Sequence, residues 1–135
     1  MNKIKGTITA IETDEGISLV TVEVSEHAFS AVVIDTPQTA GYLRMGGPVF
    51  LVFKETEMAI GKNLSGGLSL RNRFPGRIIA IEEGKVLTNI TVDFEGMPLM
   101  SVITTPASKR LLLQVGDPVE GLVKATEMSL MKTDN

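Results

Sequence analysis

Hydrophobic and polar residues alternate with a period of two along much of the chain. In Val20–Val24 and Ile90–Phe94 every second residue is apolar, which is typical of a β-strand with one buried face. Two other runs, Ala31–Ile34 and Val49–Phe53, are apolar throughout and predict strands that are covered on both faces. The pattern therefore predicts a protein built mainly from short strands.

The chain also repeats itself. Lys54–Met58 reads Lys-Glu-Thr-Glu-Met, and Lys124–Met128 reads Lys-Ala-Thr-Glu-Met 70 residues later. The same offset carries Gly6 onto Gly76. A period of this length is too long for a solenoid repeat and long enough for a small domain. Two copies of one unit therefore fill the 135 residues.

The repeat predicts two domains, at residues 1–62 and 69–135, with a linker at 63–68 that is rich in glycine and serine. Each copy is predicted to be all-β with one short helix, and two such copies give two tandem OB-like five-stranded barrels. The helices are expected to start at Thr36-Pro37 and Thr105-Pro106. The strands are predicted at 3–12, 18–24, 28–35, 48–54 and 57–60, and again at 73–82, 86–94, 98–104, 118–124 and 127–131.

Composition narrows the class of function. The formal net charge of −3 argues against electrostatic capture of nucleic acid or an anionic membrane. No long apolar run or secretory signal is seen, so a cytoplasmic location is expected. The chain has no cysteine, and its one histidine, His27, lies at a predicted turn. We therefore predict no catalytic residue, no metal site and no enzyme activity.

Two segments of the second copy carry a family resemblance. Ser69–Gly76 reads Ser-Leu-Arg-Asn-Arg-Phe-Pro-Gly, and Leu122–Thr126 reads Leu-Val-Lys-Ala-Thr. They resemble the S-A-R-N-x-x-x-G opening and the I-K-A-[ST] closing strand of molybdenum-pterin-binding (Mop, or molbindin) domains. Val102–Thr104 and Leu113–Asp117 resemble the V-I-T and L-x-x-G-D blocks between them. The resemblance implies OB-like barrels that assemble as trimers and bind molybdate or tungstate at domain and subunit interfaces, without an organic cofactor.

Such an oxyanion needs a particular set of donors. Its oxygens only accept hydrogen bonds, so N–H and O–H groups must converge on it and partly balance its charge. Arg71 supplies a fork of donors, Lys124 a point charge, and Ser69 and Thr126 hydroxyl groups. The residues predicted to bind the oxyanion are Ser69, Arg71, Asn72, Lys124, Ala125 and Thr126 in the second copy, with Lys54 and Thr56 in the first.

The first copy departs from this pattern. Asn2 aligns with Asn72, but the serine and arginine positions have no counterpart beyond Met1. Glu55 stands where the family has alanine, and its carboxylate beside Lys54 would repel a dianion if it pointed into the site. The sequence therefore predicts that the working site is on the second copy and leaves open whether the first copy has one.

The sequence thus predicts a cytoplasmic homo-oligomer, a trimer, that binds molybdate or tungstate for storage, buffering or delivery. One alternative is a regulatory or interaction module that has kept the barrel and lost the anion. A second is an OB-fold nucleic-acid binder. The chain has no tryptophan and one tyrosine, so the aromatic platform on which bases would stack is missing, and this second alternative is disfavoured.

Overall fold

The computed structural model describes residues 1–134, and strands dominate this part of the chain. One helix, α1 (Thr105–Arg110), and two 3₁₀ turns, at Glu55–Glu57 and Ala125–Glu127, accompany them. No helix among these residues is long and apolar enough to cross a membrane. The strands are β1 (Asn2–Asp14), β2 (Ile17–Val24), β3 (His27–Val33), β4 (Pro48–Phe53), β5 (Ala59–Gly61), β6 (Asn72–Glu83), β7 (Leu87–Phe94), β8 (Met97–Thr104), β9 (Pro118–Val123) and β10 (Ser129–Lys132).

The strands form two antiparallel sheets of five. One has the order β5-β9-β6-β7-β8 and the other the order β10-β4-β1-β2-β3. Each sheet therefore takes four strands from one copy of the repeat and its fifth strand from the other copy. Ala59 of β5 pairs with Leu122 of β9, and Ser129 of β10 pairs with Val52 of β4.

This exchange divides the chain into two compact units that are not contiguous in sequence. Unit 1 contains Met1 and Lys54–Val123, and unit 2 contains Asn2–Phe53 and the described residues from Lys124 onward. The units thus differ from the predicted domains at 1–62 and 69–135. The reason is that the segment after β4 completes the sheet of the second copy, and the segment after β9 completes that of the first.

The core of unit 1 includes a side chain from the exchanged segment. The rings of Phe74 and Phe94 meet edge to face with 5.3 Å between their centroids, and both side chains are fully buried. Met58, which follows the first 3₁₀ turn, is 1% exposed, and its main-chain oxygen accepts a hydrogen bond from Ser101 Oγ. In unit 2, Met128 is buried in the same way. The exchanged segments therefore contribute buried core side chains as well as hydrogen bonds.

The irregularity in β6 is held by the loop that precedes β9. The pairing of β6 with β7 shifts between Ile78 and Ala80. There the amide of Ile78 donates to Asp117 O at 3.0 Å, and the amide of Gly116 donates to Ile78 O at 2.7 Å. Gly116 has a φ of +97°, a region that glycine adopts most easily. The same two bonds recur at the corresponding shift in β1 of unit 2.

The all-β class and the OB-like sheets agree with the sequence prediction, but only the second copy has the predicted helix within the described residues. Its N-cap is Thr104, one residue earlier than expected, and the hydroxyl of Thr104 accepts from the amide of Ala107 at 3.3 Å. In the first copy, Thr39 Oγ1 instead accepts from the amide of Thr36 at 2.8 Å. Side chains that bond to nearby main chain compete with a helix, and Gly41 weakens it further. The predicted helix is therefore replaced by turns.

Lys62 ties the segment after β5 to the end of α1. Its Nζ donates to Leu111 O at 3.0 Å and to Leu112 O at 3.2 Å, and lies 3.1 Å from Asp117 Oδ2. The same carboxylate oxygen accepts from the amide of Gln114 at 2.9 Å. The Gln114 amide first, and then Lys62, hold the pKa of Asp117 below its ordinary value of 3.8.

This pKa shift predicts a pH dependence of stability. A carboxyl whose pKa is lowered by folding stabilises the protein above its unfolded pKa and loses that contribution as the pH falls through the folded pKa. Asp117→Asn should therefore unfold at lower urea concentration than wild type at neutral pH, and the gap should close below about pH 4. Urea titrations between pH 7 and pH 2 would measure this, with the exposed Asp14→Asn as control. A gap that stayed constant over this range would exclude a role for the charge.

Candidate oxyanion-binding site

The predicted second-copy motifs meet at one end of the unit 1 sheet. Asn72, the first residue of β6, pairs with Val123, the last residue of β9. Arg71 directly precedes Asn72, and Lys124 directly follows Val123. Each predicted cation is therefore next in sequence to one residue of the pair Asn72–Val123, although the two motifs are about 50 residues apart.

The first copy repeats this arrangement in part. Asn2 opens β1 and pairs with Phe53, the last residue of β4, and Lys54 follows directly. Met1 occupies the place that Arg71 has in the second copy. The lysine and the asparagine are thus kept at both strand ends, whereas the arginine is present at one.

Arg71 and Arg73 have different surroundings although they are two residues apart. Arg73 forms a two-point ion pair with Glu120, with Nε 3.1 Å from Oε1 and a terminal guanidinium nitrogen 2.5 Å from Oε2. That pairing raises the pKa of Arg73 above its ordinary value. Arg71 is exposed and makes no ion pair with any residue between 1 and 134. Of the two guanidinium groups, that of Arg71 is the one left to bind an external anion.

Lys124 leads into a short turn that presents donors. The amide of Glu127 donates to Lys124 O at 2.9 Å, which closes the second 3₁₀ turn. The amides of Ala125 and Thr126 precede that first internal bond, as the opening amides of a helical turn do. The side chains of Lys124 and Thr126 are exposed, and Ala125 is half-buried. A hydroxyl, an ammonium group and main-chain amides therefore occupy three consecutive residues.

The first 3₁₀ turn has the same backbone but a different charge. The amide of Glu57 donates to Lys54 O at 2.9 Å, and the amide of Lys54 donates to Glu57 Oε1 at 2.8 Å. The Glu55 carboxylate accepts from the amino group of Met1, which is the main reason that its pKa is lowered. This turn therefore carries one more carboxylate than the turn at Lys124.

The predicted site residues divide between the units. Arg71 and Ser69 are exposed, whereas Asn72 is fully buried and hydrogen-bonded or otherwise engaged within the protein. The burial of Asn72 favours a role in fixing the strand end over direct contact with a ligand. Unit 1 holds Ser69, Arg71, Asn72, Lys54 and Thr56, and unit 2 holds Lys124, Ala125 and Thr126.

The structure also contains a cavity that the sequence did not predict. It has a volume of about 300 Å³ and lies in unit 1 beside the first 3₁₀ turn. The carboxylates of Glu55 and Glu82 line it, which disfavours an oxyanion there. Glu55 and Thr56 reach this cavity because their segment is exchanged between the copies, and the alternation of apolar and polar residues does not predict that exchange. Its walls are Glu55, Thr56, Ala80, Glu82, Asn89, Ile90, Thr91, Met100, Ser101 and Val102.

No group of three or more histidine or carboxylate side chains among residues 1–134 is arranged to hold a metal ion. Arg71 and Lys124 are exposed cations next to the ends of β6 and β9. What this arrangement can do chemically is hold an anion through hydrogen bonds and charge.

Known proteins are similar to this chain in sequence and in fold. A family model for the TOBE domain matches residues 68–130. The probable molybdenum-pterin-binding protein of Haemophilus influenzae is 34% identical over 62 residues, which cover 45% of this chain and 90% of that protein. The molybdenum transport protein ModE of Herbaspirillum seropedicae is 35% identical over 71 residues, or 52% of this chain. The chain spans only 26% of the length of that ModE protein.

The structural likeness extends over both copies. The cytoplasmic molybdate-binding protein ModG, in a crystal form with molybdate bound, matches with a TM-score of 0.91 and 26% identity. The match covers 98% of this chain and 96% of ModG. Together with the duplicated sequence and the H. influenzae relative, this likeness shows that the chain belongs to the family of tandem molybdenum-pterin-binding (Mop, or molbindin) proteins.

Proposed function

We propose that this protein binds molybdate or tungstate as the intact oxyanion and serves in its storage, buffering or delivery, without catalysing a reaction. The observation that carries the proposal is the likeness over 98% of the chain to ModG, a protein described with molybdate bound. The cations Arg71 and Lys124 support it, because each is next in sequence to one residue of the pair Asn72–Val123.

The chemistry of the strand ends suits a tetrahedral dianion. Arg71 offers planar N–H donors, Lys124 a compact positive charge, and Ser69 and Thr126 hydroxyl groups that rotate to suit an acceptor. Bonds between charged donors and an oxyanion are about twice as strong as bonds between neutral groups. Donors of this kind can hold an anion although the whole chain has a net charge of −3.

We further propose that the protein works as a cytoplasmic homo-oligomer, a trimer, with a small oxyanion as its ligand. The family resemblance suggests the trimer, and the surface of unit 1 supports association. Ile79, Leu87 and Met100 on its strands are each at least 50% exposed. Large apolar side chains exposed on a sheet favour burial against another copy.

Calorimetric titration with molybdate and with sulfate tests the function. A rigid set of donors prefers the anion that fills it, so molybdate and tungstate should bind at least about tenfold more tightly than the smaller sulfate. Equal affinity for sulfate and molybdate would indicate a generic positive patch. No heat with either anion would favour the alternative of an interaction module that has lost the ligand.

A further inference from the structure

The two 3₁₀ turns can be compared directly because their sequences are nearly identical. Lys54–Met58 and Lys124–Met128 differ at a single position, where Glu55 corresponds to Ala125. Their backbones agree: the residue before each turn is extended, with φ and ψ of −80° and 154° at Lys54 and −68° and 143° at Lys124. The hydrogen bond that closes each turn has the same length, 2.9 Å. The two turns therefore share a backbone and differ in the charge at Glu55 and in the bond from the Lys54 amide to Glu57 Oε1 at the first turn.

We propose that Glu55 makes the two turns unequal as oxyanion sites, a proposal that rests on the function proposed above. The Glu55 carboxylate lies between Lys54 and Thr56 in sequence, and these are the two residues that match the donors Lys124 and Thr126. This carboxylate pairs with the amino group of Met1, which stands in the place of Arg71. Ala125 places only a methyl group at the same point of the second turn.

No further cation of the first turn replaces the Met1 amino group that Glu55 engages. Each turn has one lysine, and both retain the glutamate of the shared sequence at Glu57 and Glu127. The amino group of Met1 pairs with the Glu55 carboxylate, so that this positive group is used within the protein. Glu55 therefore leaves the first turn with only Lys54 to bind an anion, and so determines which turn accepts it.

Exchanging the two residues tests the proposal in both directions. Glu55→Ala and the isosteric Glu55→Gln should either add one bound molybdate per chain or increase the affinity of the site at the first turn at least about tenfold. Ala125→Glu should weaken binding at the second turn by a similar factor. Calorimetry on the full chain would give the stoichiometry and affinity of each variant, and circular dichroism would confirm that it is folded.

Matched controls separate a local effect from a change in net charge. Glu26→Ala removes one carboxylate at the turn between β2 and β3, and Ala28→Glu adds one at an exposed position of β3. Neither control should change binding by more than about twofold at physiological ionic strength. If the wild type binds molybdate and the exchanges at 55 and 125 behave like these controls, the role of Glu55 is excluded and the function stands. If neither the wild type nor Glu55→Ala binds molybdate, both proposals fail.

Discussion

Replacing Arg71 or Lys124 by alanine is expected to weaken molybdate binding about 30-fold or more while the fold stays intact. Truncating one partner of a desolvated charge pair costs roughly 2–5 kcal/mol, because the remaining charge is left without compensation, and the proposed subunit interface would desolvate the bound anion. Both side chains are exposed in the single chain and make no ion pair among residues 1–134. Their loss should therefore affect ligand binding much more than folding. Calorimetric titration of each variant with molybdate measures the effect.

Two further cations serve as controls for this experiment. Arg44 and Lys85 are also exposed, and their alanine variants remove the same charge at positions outside both motifs. These variants should bind molybdate as the wild type does. Lys54→Ala should weaken binding less than Lys124→Ala, because Glu55 stands beside it. Wild-type affinity and stoichiometry in Arg71→Ala and Lys124→Ala would exclude these residues from the site.

Met58→Ala is expected to destabilise unit 1 by roughly 2–5 kcal/mol, the range for removal of a buried methionine side chain. Met58 comes from the first copy in sequence but is buried in the unit built mainly from the second copy. Amide hydrogen exchange should therefore accelerate in β7 and β8 more than in β2 and β3. Met45→Ala removes a methionine that is 64% exposed and should have little effect.

The opposite pattern of amide hydrogen exchange would contradict the exchange of strands between the two copies. If each copy folded as a contiguous domain, Met58→Ala would loosen β2 and β3 and leave β7 and β8 protected. Urea unfolding of the same variants would give the loss of stability, and the exchange data would locate it.

The strands could be predicted from the sequence because alternation has a direct physical cause. Side chains on successive residues of a strand point to opposite faces, so Val20–Val24 and Ile90–Phe94 show which face is buried. The partner of β5 could not be predicted in this way. Lys54–Met58 and Lys124–Met128 are nearly identical, so either segment satisfies the same pattern in either sheet. Which copy each strand joins depends on contacts that local sequence does not encode.

Only part of the candidate site could be predicted from the sequence. Arg71 and Lys124 follow from the motif resemblance, and strand pairing then brings their neighbours Asn72 and Val123 together. The burial of Asn72 was not predictable, because a polar residue at a strand start is usually expected at the surface. Nor did the sequence indicate that Arg73 pairs with Glu120, a contact between residues far apart in the chain.

The helix of the first copy shows where local rules gave the wrong result. Thr36-Pro37 has the same signal as Thr105-Pro106, but the residues that follow decide the outcome. Thr39 bonds to the main chain of Thr36, and Gly41 follows soon after. A start signal is not sufficient when the next turn of the helix is unfavourable.

Native mass spectrometry of the full chain, with and without excess molybdate, counts both subunits and bound anions in one experiment. We expect a trimer whose mass increases by whole numbers of molybdate ions, and no comparable increase with sulfate. A protein that assembles but takes up no molybdate would contradict the proposed function.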